Sequence, residues 1–443
     1  SAHYDTASLV VIHEMLPLLF LLAGAPDTTA VRAGLPTAAP GEVGMSATRL
    51  AAVDRVVMRG VERKGFPGAA VVVGRRGHIV LASGYGTLDW RADSRCVDAA
   101  SSLYDLASIT KVVATTTAIM VLYDRGQLAL DDPVVRFLPA FGGGGKSAIT
   151  IRQLLTHRSG LPSGRDLWRG GRTPTAARRL VLSTPLERAP GSRELYSDLG
   201  ADVLAMVAER VAHEPLDRFL ERVVFKPLGM RNTGFRPARA AREGAAPTEM
   251  HSARGHPLRG EVHDENASAL GGVAGHAGLF STATDLAIFA QMLLGGGAYD
   301  GVRIASDSTV ALFTRRTAGW RALGWETCYG GGSCGQKMSE RAFGHTGYTG
   351  TSMWIDQDRK SFVIVLTNWV HARPDGHVPD FLTLNDVRAD VADIAALAVI
   401  DDSGGPPEMP ASFRADRATS WESAGMRTLP RRCVTSQHAV AER

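Results

Sequence analysis

The stretch LYDLASITK (103–111), running on into VVATTTAIMVLYDRG (112–126), decides the fold. Its apolar residues recur at helical spacing and stop at Gly126. Ser108 stands three residues before Lys111, and nowhere else in the chain does a serine precede a lysine by three. On a helix such a pair shares one face a turn apart, which brings the amine to the hydroxyl. At the helix start, free N–H groups and the dipole favour a developing oxyanion. The same dipole, with partial burial, pushes the lysine toward the neutral form that accepts a proton. The plain alternative is a helix-capping serine beside a surface lysine.

Two more motifs follow in order. Tyr196-Ser197-Asp198 lies about 90 residues on, just before the helical pattern of Leu199 to Val211, and His345-Thr346-Gly347 precedes the strand pattern TSMWID (351–356). With these three motifs the chain resembles the serine β-lactamase and penicillin-binding-protein superfamily over roughly residues 45–400. LLTHRSGLP (154–162) and GLFSTATDLAIFAQML (278–293) look like the segments that flank the cleft in that family. The resemblance implies that Ser108 is the nucleophile, Lys111 its proton partner and Tyr196 the residue that shuttles protons to the leaving group and activates water. It also implies an oxyanion hole made by the backbone N–H groups of Ser108 and Tyr348.

Two positions depart from the best-known members. His345 stands where most β-lactamases have lysine, and a neutral or partly protonated imidazole there would orient Tyr196 or hold a substrate carboxylate. Asp198 stands where Asn is usual. A carboxylate only accepts hydrogen bonds and adds a charge, so it would either alter recognition of a substrate carbonyl or keep Lys111 protonated and shift the base role to Tyr196. VHDENA (262–267) and LGGVAGHAG (270–278) resemble the branch of the superfamily associated with muropeptide recycling. His263, Asp264, Glu265 and His276 in this stretch lack the spacing of a metal site, and none is expected.

Working outward, GAAVVVG (68–74), Arg75-Arg76-Gly77 and HIVLASG (78–84) read as a hairpin, and TSMWID (351–356) with SFVIVLTNW (361–369) as a second. A helix is expected from Ser46 to Gly65 and another from Asn385 to Ile400, with mainly helical patterns between. The fold class expected is α/β: an antiparallel sheet flanked by helices, with an inserted mainly helical lobe. The hydrolase domain would span 46–400, its sheet lobe drawn from about 46–100 and 300–400 and its helical lobe from about 101–299. Residues 1–45 read as a leader, because LPLLFLLAGA (16–25) resembles an export signal. Residues 401–443, rich in proline and without periodicity, read as a poorly ordered tail.

Composition excludes other classes. The chain has 443 residues, 44% hydrophobic and 21% charged, with a net charge of +4, which is too small over this length to argue for nucleic acid as a partner. No apolar run is long enough to span a membrane. The four cysteines have no C-x-x-C spacing; Cys328 and Cys334 flank a glycine-rich loop in which they either pair in an oxidising compartment or remain free thiols. GGSCG (331–335) matches G-x-S-x-G formally, but Ser333 lacks the strand before and the helix after that this turn requires. The arginines between 158 and 188 read as a solvated loop face or the entrance for an anionic substrate.

The reading is an exported serine hydrolase that cleaves an ester or amide through an acyl-enzyme on Ser108, without metal or cofactor. Carboxylesterase activity on short acyl esters, with weak β-lactam turnover, leads. Amidase or peptidase action on muramyl peptides is the alternative, and a non-catalytic penicillin- or muropeptide-binding sensor is the rival from another class. The partner is thus a small-molecule ester, β-lactam or muropeptide.

Overall fold

The computed structural model describes residues 34–415 and 433–436, apart from 171, 172, 250, 251, 318, 374, 378, 379, 403, 404 and 406. The apolar segment 16–25 and the tail over 416–432 and 437–443 lie outside the described residues.

Both hairpins form. The strands are β1 (Gly68–Arg75), β2 (His78–Gly86), β3 (Glu326–Thr327), β4 (Ala342–Gly347), β5 (Thr351–Asp356), β6 (Ser361–Thr367) and β7 (Val434–Ser436). They make a seven-stranded sheet in the order β3-β4-β5-β6-β1-β2-β7, antiparallel at every pairing. Val71 opposite Val365 joins the two hairpins, so distant parts of the chain meet at the centre of the sheet.

The unbroken apolar run in β1 reflects burial on both faces. Ala70 and Val72 point into one core and Ala69, Val71 and Val73 into the other, as the period of two requires. The main helices are α1 (Ala52–Glu62), α2 (Thr117–Asp124), α3 (Asp198–Ala212), α4 (Ala283–Leu294) and α5 (Phe381–Leu397). Leu286, Phe289 and Leu293 of α4 fill the first core together with α2 and α3. Val53, Val56 and Val57 of α1 meet Val387, Val391 and Ile394 of α5 in the second.

The helix expected to open at Ser108 is built differently. Ala107–Ile109 is a tight 3-10 turn, Lys111–Thr116 is wound in wider π-type turns, and regular α-helix begins only at α2. Two observations explain this. Ala107 has a left-handed backbone, φ 46°, with its N–H held at 2.8 Å by the buried Asp105 carboxylate, a conformation costly for a residue with a Cβ. Thr117 donates its hydroxyl to the Val112 carbonyl at 2.9 Å, five residues back, which suits a widened turn.

Cys328 and Cys334 are bonded, the paired one of the two readings. Cys96 and Cys433, 337 residues apart, form a second disulfide that sequence reading did not anticipate. It lies beside β7, which pairs with the outer edge of β2. Within the segment expected to be a loose tail, Met409, Phe413 and Ala415 are also buried against the body. Among the described residues no helix is long and apolar enough to cross a membrane.

Candidate active site

Ser108 is half-buried at the mouth of a cleft, and Lys111 lies behind it with almost no exposure. The Lys111 Nζ donates to Ser108 Oγ at 2.9 Å and to the His276 carbonyl at 3.2 Å, and meets Asp198 Oδ1 at 2.7 Å. The Asp198 contact is an ion pair off the hydrogen-bonding direction, since Oδ1 has no aligned donor. Two hydrogen-bond acceptors and a carboxylate around one nitrogen suit an ammonium. Burial opposes that charge, but Tyr196 and Asp198 outweigh it and hold the Lys111 pKa above the usual lysine range. This arrangement runs against the expected push toward neutral lysine and favours the alternative in which Asp198, together with Tyr196, keeps Lys111 protonated.

The turn carrying Tyr196 and Asp198 is gripped by the THRSGLPS segment (156–163). Ser197 caps α3 by accepting from the Gly200 N–H at 3.1 Å and donates its hydroxyl to the Pro162 carbonyl at 2.6 Å. Its N–H donates to His157 Nδ1 at 3.0 Å, and the His157 ring packs on the Tyr196 ring with centroids 4.7 Å apart. Burial, reinforced by the nearby Arg321 and Lys111 charges, drives the His157 pKa far down. His157 is thus neutral, with Nδ1 the acceptor and the proton on Nε2. On its other side Tyr196 carries the Lys111 ammonium 4.9 Å from its ring centre and the Arg321 guanidinium at 5.5 Å.

The third motif sits at the end of β4. A Cβ on Gly347 would fall 2.1 Å from Thr351 Oγ1 and 2.3 Å from the Leu106 carbonyl oxygen, so only glycine lets the strand approach the serine turn this closely. Thr349 and Thr351 then donate their hydroxyls to the Asp105 and Leu106 carbonyls at 2.7 and 3.0 Å. Tyr348 lines the same cavities as Ser108 and is 64% exposed at the rim. His345 is buried. Its Nδ1 faces the Thr346 carbonyl at 2.7 Å and must carry the proton, while Nε2 has no partner. Burial pushes its pKa down to about 4. A neutral His345 presents Nε2 as an acceptor, which favours the first of its two expected roles, orienting Tyr196, over holding a substrate carboxylate.

Ser108 and Tyr196 stand between two cavities. The larger, about 990 Å³, is lined by Ser108, Asp198, His263, Asp264 and Tyr348 among others. The smaller, about 310 Å³, lies toward β4 and is lined by Arg321, His345, Thr346, Tyr348 and Arg388. Arg388, on α5, is 3% exposed and donates only to the Gly347 and Thr351 carbonyls, both at 2.8 Å, with its Nε–H unpartnered. No carboxylate lies within ion-pair distance of it among the described residues, although Glu326 lines the same cavity, and burial, only partly offset by that charge, lowers its pKa to about 9. His263 stacks on Tyr348, with ring centroids 6.0 Å apart, and His276 is bonded elsewhere, so the two histidines do not converge.

All eight residues singled out in the sequence, Ser108, Lys111, Tyr196, Asp198, His345, Thr346, Gly347 and Tyr348, meet around these cavities. Sequence reading missed His157, Arg321 and Arg388, which join the site from loops and a helix far along the chain. Ser333 of the formal G-x-S-x-G match lies elsewhere, its hydroxyl accepting from the Trp354 indole at 3.2 Å.

Comparison with known proteins agrees with this arrangement. The Beta-lactamase family model matches residues 53–385. A Salmonella typhimurium protein named "Putative D-alanyl-D-alanine carboxypeptidase" is 32% identical over 382 residues, covering 76% of this chain and 87% of its own. A penicillin-binding protein homologue from Caulobacter crescentus superposes with a TM-score of 0.65 at 21% identity, covering 81% of this chain and 99% of its own. EstCE1, described as a hydrolase with promiscuous acyltransferase activity, does so with a TM-score of 0.61 at 25% identity, covering 78% and 98%. A chain matched over this span, with a serine, a lysine and a tyrosine meeting in one cleft, belongs to the Beta-lactamase family, within the superfamily of serine hydrolases that includes penicillin-binding proteins.

Proposed function

We propose that the protein is a serine carboxypeptidase-type hydrolase that cleaves the amide before a C-terminal residue bearing a free carboxylate, through an acyl-enzyme on Ser108. The observation that carries this reading is the buried, unpaired Arg388 guanidinium in the smaller cavity. Glu326 lines the same cavity and its charge acts on Arg388 without making an ion pair with it, so the guanidinium is buried with no direct carboxylate partner, an arrangement that costs about 2 kcal/mol or more unless a ligand supplies one. A leaving group ending in a carboxylate would supply it; Arg321 lines the same cavity but is already paired with Glu194 and Glu326. The name of the Salmonella relative is in keeping with such a substrate.

In the proposed sequence Tyr196 acts as the phenolate, facing the Lys111 ammonium, and takes the Ser108 proton to become the neutral phenol as Oγ attacks the carbonyl. The backbone N–H groups of Ser108 and Tyr348 receive the oxyanion. Tyr196 then passes the proton to the leaving amine and activates water for deacylation.

The test compares a peptide ending in D-alanyl-D-alanine with its C-terminal amide. The carboxylate form is expected to show kcat/KM about 10- to 100-fold higher, the worth of a charged hydrogen bond. Equal rates on both, with faster turnover of p-nitrophenyl acetate, would favour the short-ester reading, which the likeness to EstCE1 supports. Export is also proposed: two disulfides suit an oxidising compartment.

Asp198 offers a further check. The Lys111 pKa stands above its ordinary value, so activity that needs the ammonium persists at alkaline pH and is lost only as pH rises through that raised value. Asp198→Asn removes an anion that raises it. In a rate profile between pH 6 and 11 the wild type is expected to show no alkaline loss from Lys111, whereas Asp198→Asn is expected to bring an alkaline limb of kcat/KM into that window. An Asp198→Asn profile that stays flat to pH 11 like the wild type would mean that Asp198 does not set the charge on Lys111.

A further inference from the structure

Behind the serine a second charged cluster takes no part in the steps above. His276 is 2% exposed, and both its ring nitrogens face carboxylates: Nδ1 lies 2.7 Å from Asp202 Oδ1 and Nε2 3.0 Å from Asp264 Oδ1. Ionised carboxylates only accept, so both nitrogens must donate, and the ring is an imidazolium. Its surroundings are fixed from three sides. Asp202, on α3 and also 2% exposed, takes the Gly275 N–H at 2.9 Å as well as the His276 ring. Thr115, on the widened turn after Lys111, donates its hydroxyl to the Gly275 carbonyl at 2.6 Å. The loop is seated so closely that a Cβ on Gly275 would lie 2.1 Å from the Ala201 carbonyl oxygen. Asp264 caps the short helix Glu265–Ala269 through the Ala267 N–H at 2.8 Å and lines the large cavity beside Ser108.

We propose that His276 is a positioning residue for acyl transfer: its imidazolium, clamped between Asp202 and Asp264, keeps Asp264 ionised and turned to the cleft while its main-chain carbonyl fixes the Lys111 ammonium. One ring thereby links the proton machinery to the wall of the larger cavity. The charged groups around it are Asp202 from α3, Asp264 from the loop ahead of the short helix and Lys111 from the nucleophile turn, with Asp105 and His263 beside Asp264 and Arg178, paired with Glu209, acting on Asp202. Burial works against the Asp264 charge, but His276 overcomes it and holds the carboxyl well below the usual carboxylate range. The same two carboxylates hold the His276 pKa far above that of a free imidazole despite its burial. The kinetic arm of the test rests on the Ser108 reading; the spectroscopic arm needs no substrate.

His276→Asn keeps a donor but removes the charge. With p-nitrophenyl acetate as probe, kcat is expected to fall about 10²-fold, the cost of a misplaced catalytic group, with KM changed less than about threefold. Without the imidazolium the Asp264 pKa rises, so the carboxylate is lost at a higher pH and the acid limb of kcat/KM moves upward. The double variant His276→Asn/Asp264→Asn has no such carboxylate to protonate, and its acid limb is expected back at the wild-type position. A merely structural role would lower the active fraction and leave the limb in place in both variants; that result overturns the proposal. On the wild-type protein, nitrogen NMR of labelled histidine is expected to show both His276 nitrogens protonated from pH 5 to 9. A single protonated nitrogen overturns the proposal even where the variants fail to fold, and failure of the peptidase reading leaves the NMR result untouched.

Discussion

Ser108→Ala is expected to lower kcat/KM on any ester or amide substrate by at least about 10³-fold, with the fold intact by circular dichroism. The size follows from chemistry. Without Oγ no acyl-enzyme forms, and what survives is the rate supplied by the oxyanion donors and substrate binding alone. The structural cost is small, because Oγ has a single hydrogen bond, from Lys111, and stands at a cavity mouth. Ser333→Ala is the matching control. Its hydroxyl serves only the Trp354 indole, so activity should be unchanged. Full activity in Ser108→Ala would remove Ser108 as the nucleophile.

Lys111→Ala carries the second large effect, a loss of about 10³-fold in kcat, accompanied by a fall in stability. Nζ joins Ser108, Asp198 and the His276 carbonyl, so its removal breaks the proton path. It also leaves a carboxylate and a buried carbonyl without their partner, which costs about 3–5 kcal/mol for a broken buried ion pair at full burial. Asp198 is one-third exposed, so solvent screening places the expected loss at the lower end. Kinetics and a denaturant titration separate the two effects: a lowered midpoint with unchanged kcat in the folded fraction would contradict a role for Lys111 in the chemistry.

Much of this site was legible in sequence because its parts obey local rules. Ser108 and Lys111 meet through a spacing of three, which survives even though the segment is a 3-10 turn followed by wide turns rather than one α-helix. The two hairpins were visible as apolar runs broken by turn residues, and Gly347 is fixed by a close backbone approach that any larger residue would block. What sequence could not supply is set by tertiary contact. The charge on Lys111 depends on Tyr196 and Asp198, the latter 87 residues away, and the neutrality of His345 depends on burial. Arg388 is one arginine among many until α5 is folded against β4 and its guanidinium is seen to lack a counter-ion. The Cys96–Cys433 bond likewise joins positions with no local signal.

The most direct test of the acyl-enzyme on Ser108 is intact-protein mass spectrometry after acid quench of the enzyme with an activated acyl ester, followed by peptide mapping. The wild-type mass should rise by one acyl group, mapped to the peptide carrying Ser108, and Ser108→Ala should show no increase. An adduct that persists in Ser108→Ala, or that maps to Ser333, would contradict the account.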